Sequence, residues 1–171
     1  GRPSGSVALL AVSKLHSAQA IRTVHGAGQV AFGENYVQEA LDKMAALADL
    51  PLQWHLIGPL QSNKTQQVAA HFDWVHSVDR LKIAQRLSAQ RPAGLPPLQI
   101  CLQVNIDEED SKSGCELAEL PALAEALLAL PNIRLRGLMA IPKPGNVEAH
   151  AQLAKTASDL LARLPALAAQ P

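Results

Sequence analysis

A lysine at the end of an apolar run carries the clearest chemical signal in this chain. Val7-Ala8-Leu9-Leu10-Ala11-Val12-Ser13-Lys14 reads as a buried strand, because a parallel strand covered on both faces is written as a near-continuous apolar run. An amine is out of place inside such a strand and suited to its carboxyl end, where ligands collect in α/β folds. In a low-dielectric cavity an ammonium is destabilised, so its pKa falls and the free amine becomes a nucleophile toward a carbonyl. Lys14 is therefore a candidate for condensing with an aldehyde. The alternative is a lysine that ends the strand and extends its amine into water. The run by itself leaves both open.

Three further residues stand near the ends of apolar runs. Asn35 closes the run 29–35 and can bond a ring substituent of a ligand or cap the helix that follows, with Gln38 completing a capping box. His55, in the run 53–58, either faces a ligand across an enclosed space or is a satisfied core histidine. Met139 packs against whatever fills that space and is not a reactant. Gly58-Pro59-Leu60-Gln61-Ser62-Asn63-Lys64 is a tight loop before a helix, whose amides suit an anion. It lacks the Walker spacing, so a structural turn is expected. The segment 107–114 lacks Asp or Asn at the alternating ligand positions of a calcium loop and reads as a solvated acidic loop. His71 and His76 do not have the spacing of a zinc pair.

The elements that must position these residues alternate along the chain. Ser17 caps a short helix through Ala20, Ile21 and Val24, which Gly26 and Gly28 stop. The second strand, 29–35, precedes a helix with Val37, Ala40, Leu41 and Met44 on one face. The third, 53–58, leads into a helix over 62–71, and the fourth, Trp74-Val75-His76-Ser77-Val78, stops at Asp79, an N-cap for Leu81, Ile83 and Leu87. A Pro-rich connector over 91–97 precedes the fifth strand, 98–106, and Pro121 suits a first helical position. The sixth strand is 133–141, followed by a helix within 147–164 that Pro165 ends. Six βα units in strict alternation predict a parallel sheet with right-handed crossovers.

Side-chain parity favours a barrel over an open doubly wound sheet. Leu10, Val12 and Lys14 share one face, matched by Ala31, Gly33 and Asn35, then His55 and Ile57, then Leu135, Gly137 and Met139. Small residues beside branched ones suit a crowded barrel interior. Ser13-Lys14-Leu15-His16 is unlike the Gly-rich fingerprint that follows the first strand of a Rossmann sheet.

Composition narrows the function classes. With 171 residues, 48% hydrophobic, the chain supports one domain with a real core. A net charge of +0 and 3% aromatic residues offer neither a phosphate-tracking surface nor a base-stacking platform, so nucleic acid is not an expected partner. Cys101 and Cys115 are too few for a disulfide framework and suit a reduced, cytoplasmic setting. No apolar stretch is long enough to span a bilayer, no export signal is evident, and no membrane partner is expected. The sequence opens on Gly1-Arg2-Pro3 without Met, so the natural amino terminus is expected upstream.

Taken in order, Ala11-Val12-Ser13-Lys14, the run Phe32-Gly33-Glu34-Asn35-Tyr36-Val37-Gln38-Glu39, the run Trp54-His55-Leu56-Ile57-Gly58-Pro59-Leu60-Gln61-Ser62-Asn63-Lys64, Ser111-Lys112-Ser113-Gly114 and Arg136-Gly137-Leu138-Met139-Ala140-Ile141-Pro142 closely resemble the pyridoxal phosphate homeostasis protein family. That resemblance implies an α/β fold, a (β/α)8 TIM barrel of the alanine racemase N-terminal domain type, with about six βα units present here. It implies one PLP-binding domain over residues 1–171, incomplete at both ends. Pyridoxal 5'-phosphate (PLP) is the implied cofactor, held as an internal aldimine by the lysine of the Ala-Val-Ser-Lys motif, which falls on Lys14. Asn35, His55 and Met139 are the accompanying cofactor-binding candidates.

The resemblance further implies PLP carriage and homeostasis without catalytic turnover, influencing amino-acid and keto-acid balance. PLP-dependent enzymes lacking their cofactor are candidate recipients, and a monomer is the default. The competing readings are a racemase-like PLP enzyme using the same lysine, and an aldolase-type barrel whose lysine binds a sugar-phosphate carbonyl. The family pattern continues with a Ser-rich strand, Ser-Met-Gly-Met-Ser, then Arg-Ile-Gly-Thr and a closing Phe-Gly. This sequence stops at Pro171, so the phosphate cup and the arginine facing the pyridine nitrogen fall on no residue shown.

Overall fold

Apolar runs and amphipathic segments fold into six consecutive βα units in the computed structural model, which describes residues 3–107 and 113–168. The units are β1 (Ala11–Val12) and α1 (Ala18–Gly26), β2 (Ala31–Glu34) and α2 (Val37–Ala46), β3 (Gln53–Leu56) and α3 (Thr65–His71). They continue with β4 (Trp74–Val78) and α4 (Leu81–Gln90), β5 (Leu98–Gln103) and α5 (Leu120–Leu128), β6 (Ile133–Met139) and α6 (Ala149–Arg163). A 3₁₀ turn, Ser62–Lys64, precedes α3, and another, Pro165–Leu167, follows α6. Residues 108–112, which include most of the acidic loop and the Ser111-Lys112 part of its motif, lie outside the described residues.

Each strand is parallel to its neighbours, and the spatial order is the sequence order, β1 to β6. A doubly wound sheet reverses its order at a switch point; a barrel sheet does not. Right-handed crossovers of constant direction put every helix on one face, and α2 packs on α3, α3 on α4, and α4 on α5. The core lies between that helix layer and the sheet. Phe32, Trp54, Leu56, Val75, Ile100 and Leu102 meet Ile21, Ala40, Val68, Leu87 and Leu127 there.

The opposite face is mixed. Register places Val12 beside Gly33, Gly33 beside His55, His55 beside Trp74, Trp74 beside Gln99 and Gln99 beside Arg134. Small and branched residues stand at the β1 and β2 end, as parity anticipates, and large polar ones follow.

Two expectations change. The strand expected over 7–14 forms a ladder only at Ala11–Val12, and Val7, Leu9 and Val12 are exposed. The exposure follows from its place at the sheet edge, where among the described residues no strand covers its outer flank. Leu135 does not share a face with Gly137 and Met139. Ile100 pairs with Leu135 while Cys101 pairs with Gly137, so Arg136 is an extra residue that inverts parity, as a β-bulge does. Leu135 joins the helix-side core, whereas Gly137 and Met139 align with Cys101 and Gln103.

Local signals are honoured in part. Ser17 Oγ accepts a hydrogen bond from the Ala20 amide at 3.2 Å and caps α1. Asp79 is not the cap of α4, because Arg80 occupies that place and Asp79 is engaged by the Arg80 guanidinium at 2.6 Å. Both cysteines are free and buried, and burial pushes each thiol up to about 11. Cys115 lies in an isolated parallel bridge to Val104, just past β5. Among the described residues no helix is long and apolar enough to cross a membrane.

Candidate functional site

Lys14 stands in the turn that leaves β1. The Ser13 amide donates to the Gly33 carbonyl at 2.9 Å and continues the ladder, while the His16 amide donates back to the Ser13 carbonyl at 3.1 Å. Lys14 and Leu15 are therefore the central pair of a four-residue turn. Leu15 has φ of 64°, a left-handed conformation that costs a residue with a Cβ roughly 1–2 kcal/mol. The Lys14 side chain is exposed, and no described residue bonds to its amine. The sequence placed this amine at a strand end, and there it is, in the open.

Beneath the turn lies an ionic cluster that sequence reading missed. Glu34, the last residue of β2, is fully buried; its Oε1 accepts from Ser13 Oγ and from Lys43 Nζ, each at 2.7 Å. Lys43 Nζ also donates to the Ser13 carbonyl and to Glu39 Oε1, again at 2.7 Å. The Leu15 amide donates to that same Glu39 oxygen at 2.7 Å. The α-helix makes this possible, because residues four apart sit one above the other. The Lys43 ammonium, and then the Leu15 amide, hold the Glu39 carboxyl below the usual carboxylate range. A signal existed in the sequence: Glu39 and Lys43 are spaced for a helical ion pair next to the apolar stripe of α2.

A second feature is a cavity of about 280 Å³ at the carboxyl ends of the strands, lined by Asn35, Ile57, Gly58, Gln103, Asn105 and Ile141 among others. Asn35 Oδ1 is buried without a hydrogen-bond partner. Asn35 does not cap α2, since Tyr36 holds that position with no side-chain cap and Gln38 Nε2 donates to Asp42 Oδ1 at 3.1 Å. Gly58 sets how closely β3 can approach: a Cβ there would lie 2.3 Å from the Asn35 carbonyl oxygen. The Gly58 loop is thus a structural turn that leaves room for the Asn35 backbone.

The other two candidates sit differently. His55 is level with Gly33, below the mouth. Its Nδ1 is 2.8 Å from His76 Nε2, its Nε2 is 3.1 Å from Gln53 Oε1, and its ring stacks on Trp74 with centroids 5.3 Å apart. Burial, reinforced by His76, lowers its pKa to about 3, so the imidazole is neutral. Met139 pairs with Gln103 across the last rung of β5 and β6 and shares its face. Of the four, Asn35 lines the cavity; Lys14, His55 and Met139 do not. Among the described residues no cluster of three or more His, Cys, Asp or Glu could hold a metal ion.

Comparison with known proteins agrees with this geometry. Residues 3–169 match the family model "Alanine racemase, N-terminal domain". The pyridoxal phosphate homeostasis protein of Pseudomonas aeruginosa is 69% identical over 144 residues, covering 84% of this chain and 63% of the relative. That of Vibrio cholerae is 53% identical over 174 residues, covering 96% of this chain and 74% of the relative. The structure of PipY from Synechococcus elongatus with PLP bound superimposes with a TM-score of 0.86 at 42% identity, over 96% of this chain and 79% of that one. This chain thus spans a little less than two thirds of the Pseudomonas relative. By fold, family model and sequence identity, the chain belongs to the alanine racemase N-terminal domain family and, within it, groups with the pyridoxal phosphate homeostasis proteins.

Proposed function

We propose that this chain binds PLP through Lys14 and serves PLP homeostasis as a carrier or regulator without catalytic turnover. The observation that carries the reading is an exposed amine free of described partners at the carboxyl end of β1. When bound, PLP supplies an aldehyde carbon that condenses with a primary amine, releasing one water. The residues present fit that group. Lys14 offers the amine, and Asn35, with a buried oxygen that lacks a partner, offers an acceptor to a ring substituent. Met139 contributes apolar surface on the same face as Gln103.

A carrier role is supported by what His55 cannot do. Moving a substrate proton needs a base within hydrogen-bond reach of it, and both ring nitrogens of His55 are engaged by His76 and Gln53. An amine at an open mouth exchanges its carbonyl partner with other amines without directing later chemistry. Recipients on this reading are PLP-dependent enzymes lacking their cofactor. The chain acts as a monomer in the cytoplasm, where its two buried thiols stay reduced.

Incubation of the full chain with PLP, followed by borohydride and peptide mapping, tests the reading. A reduced pyridoxyl increment on Lys14, absent from a folded Lys14→Ala variant, is expected. An increment that Lys14→Ala leaves unchanged overturns the assignment. Sustained conversion of an amino acid by catalytic amounts of pure protein overturns the absence of turnover.

A further inference from the structure

We infer that Glu39 and Lys43, braced by Glu34, are positioning residues for Lys14, holding the backbone on both of its sides so that the point from which the amine extends is fixed before a ligand arrives. This rests on Lys14 being the PLP-binding amine. The contacts fall on the two residues that flank it. The carbonyl of Ser13, just before Lys14, accepts from Lys43 Nζ at 2.7 Å, and the amide of Leu15, just after it, donates to Glu39 Oε1 at 2.7 Å. One salt bridge, Lys43 to Glu39 at 2.7 Å, joins the two grips, and the Ser13 hydroxyl is fixed separately on Glu34 at 2.7 Å.

Two observations argue that the cluster does more than stabilise. Leu15 is held at φ 64°, where a leucine does not rest without support, and strain of this kind collects where geometry is used. Glu34 Oε2 is buried with no hydrogen-bond partner, and a buried ionic group left partly unsatisfied is a poor choice where an apolar pair would fill the same space. The gain lies in ordering. A lysine whose own side chain has no described partner keeps its rotamer freedom, and fixing its backbone removes part of what binding would otherwise have to order.

Glu39→Ala tests the device, because the Glu39 side chain is 27% exposed and its loss leaves Lys43 paired with Glu34. Two readouts are taken on the full chain: hydrogen exchange of the Leu15 amide without PLP, and the PLP concentration giving half-maximal borohydride labelling of Lys14. In Glu39→Ala both rise about tenfold, the size expected for losing a charge-assisted hydrogen bond. Glu39→Gln keeps an acceptor for the Leu15 amide and rises less, about threefold; it gives the same comparison should the alanine variant not fold. Wild-type labelling of Lys14 with half-saturation unchanged in the folded variants overturns the positioning role alone, even where the melting temperature falls. Absence of wild-type labelling at Lys14 overturns the PLP reading and, with it, the purpose assigned to the cluster.

Discussion

Lys43 and Lys14 stand at the same end of the sheet in opposite circumstances. Lys43 is 8% exposed and donates to two carboxylates and one carbonyl. Lys14 is exposed and has no described partner. An ammonium whose protons are all taken is part of the scaffold, while one with none taken is available to a ligand. Here the first also grips the residue that precedes the second, so stability and availability are divided between neighbours.

The largest effect expected is from breaking the scaffold lysine. Lys43→Met leaves Glu34 buried and without its counter-charge, which costs about 3–5 kcal/mol when one partner of a buried pair is removed. Urea unfolding measures it, and a neutral result would erase the contrast. Acid sharpens the contrast in a second way. His55 has its pKa lowered from 6.5 to about 3 by burial and by His76, so between those values the unfolded chain takes up a proton that the folded chain refuses. Stability therefore falls as pH drops from about 6.5 toward 3. His55→Asn should flatten that slope in pH-dependent unfolding.

Glu39 follows at lower pH, with a smaller contribution because its carboxylate is partly in water. Its folded pKa is depressed, so its stabilisation is complete above the ordinary carboxylate value and disappears as pH falls through the lowered one. Faster Leu15 amide exchange over that range, beyond the intrinsic pH effect, is the expected sign. The smallest effects belong to the exposed lysines. Lys14→Ala changes unfolding by no more than about 0.5 kcal/mol. Lys155→Ala does the same, although Lys155 also has an i,i+4 carboxylate partner, Asp159 at 2.8 Å, because both side chains are more than half exposed. The pairs Glu39–Lys43 and Lys155–Asp159 have the same spacing; burial separates their worth.

Much of the fold was legible where the signal is local. The fourth strand was read to the residue, Ser17 was read as a cap, and strict alternation led to parallel strands in sequence order. What escaped depends on neighbours that are distant in sequence. An apolar run does not say whether both its flanks will be covered, so the exposure of Val7, Leu9 and Val12 is not legible in it. Parity along β6 presumes an unbroken ladder, and the extra residue at Arg136 broke it.

Residue type and spacing placed Lys14 and Asn35 just past the ends of β1 and β2, where the structure has them. A histidine inside a strand reads the same at the mouth or one layer below, so the depth of His55 had to come from register. The Glu34 and Lys43 cluster closes across three elements, and no periodicity announces such a closure.

The buried thiols have a practical consequence. Cys101 is 7% exposed and Cys115 4%, and each is shifted to about 11, so near neutral pH little of either is the reactive thiolate. Alkylation of the native chain must wait for the sheet to open around β5. The rate of labelling, resolved by peptide, is then a clock for that opening. It needs no engineered residue, and it runs in the presence or absence of ligand, so it can time how far occupancy of the mouth tightens strands well away from Lys14.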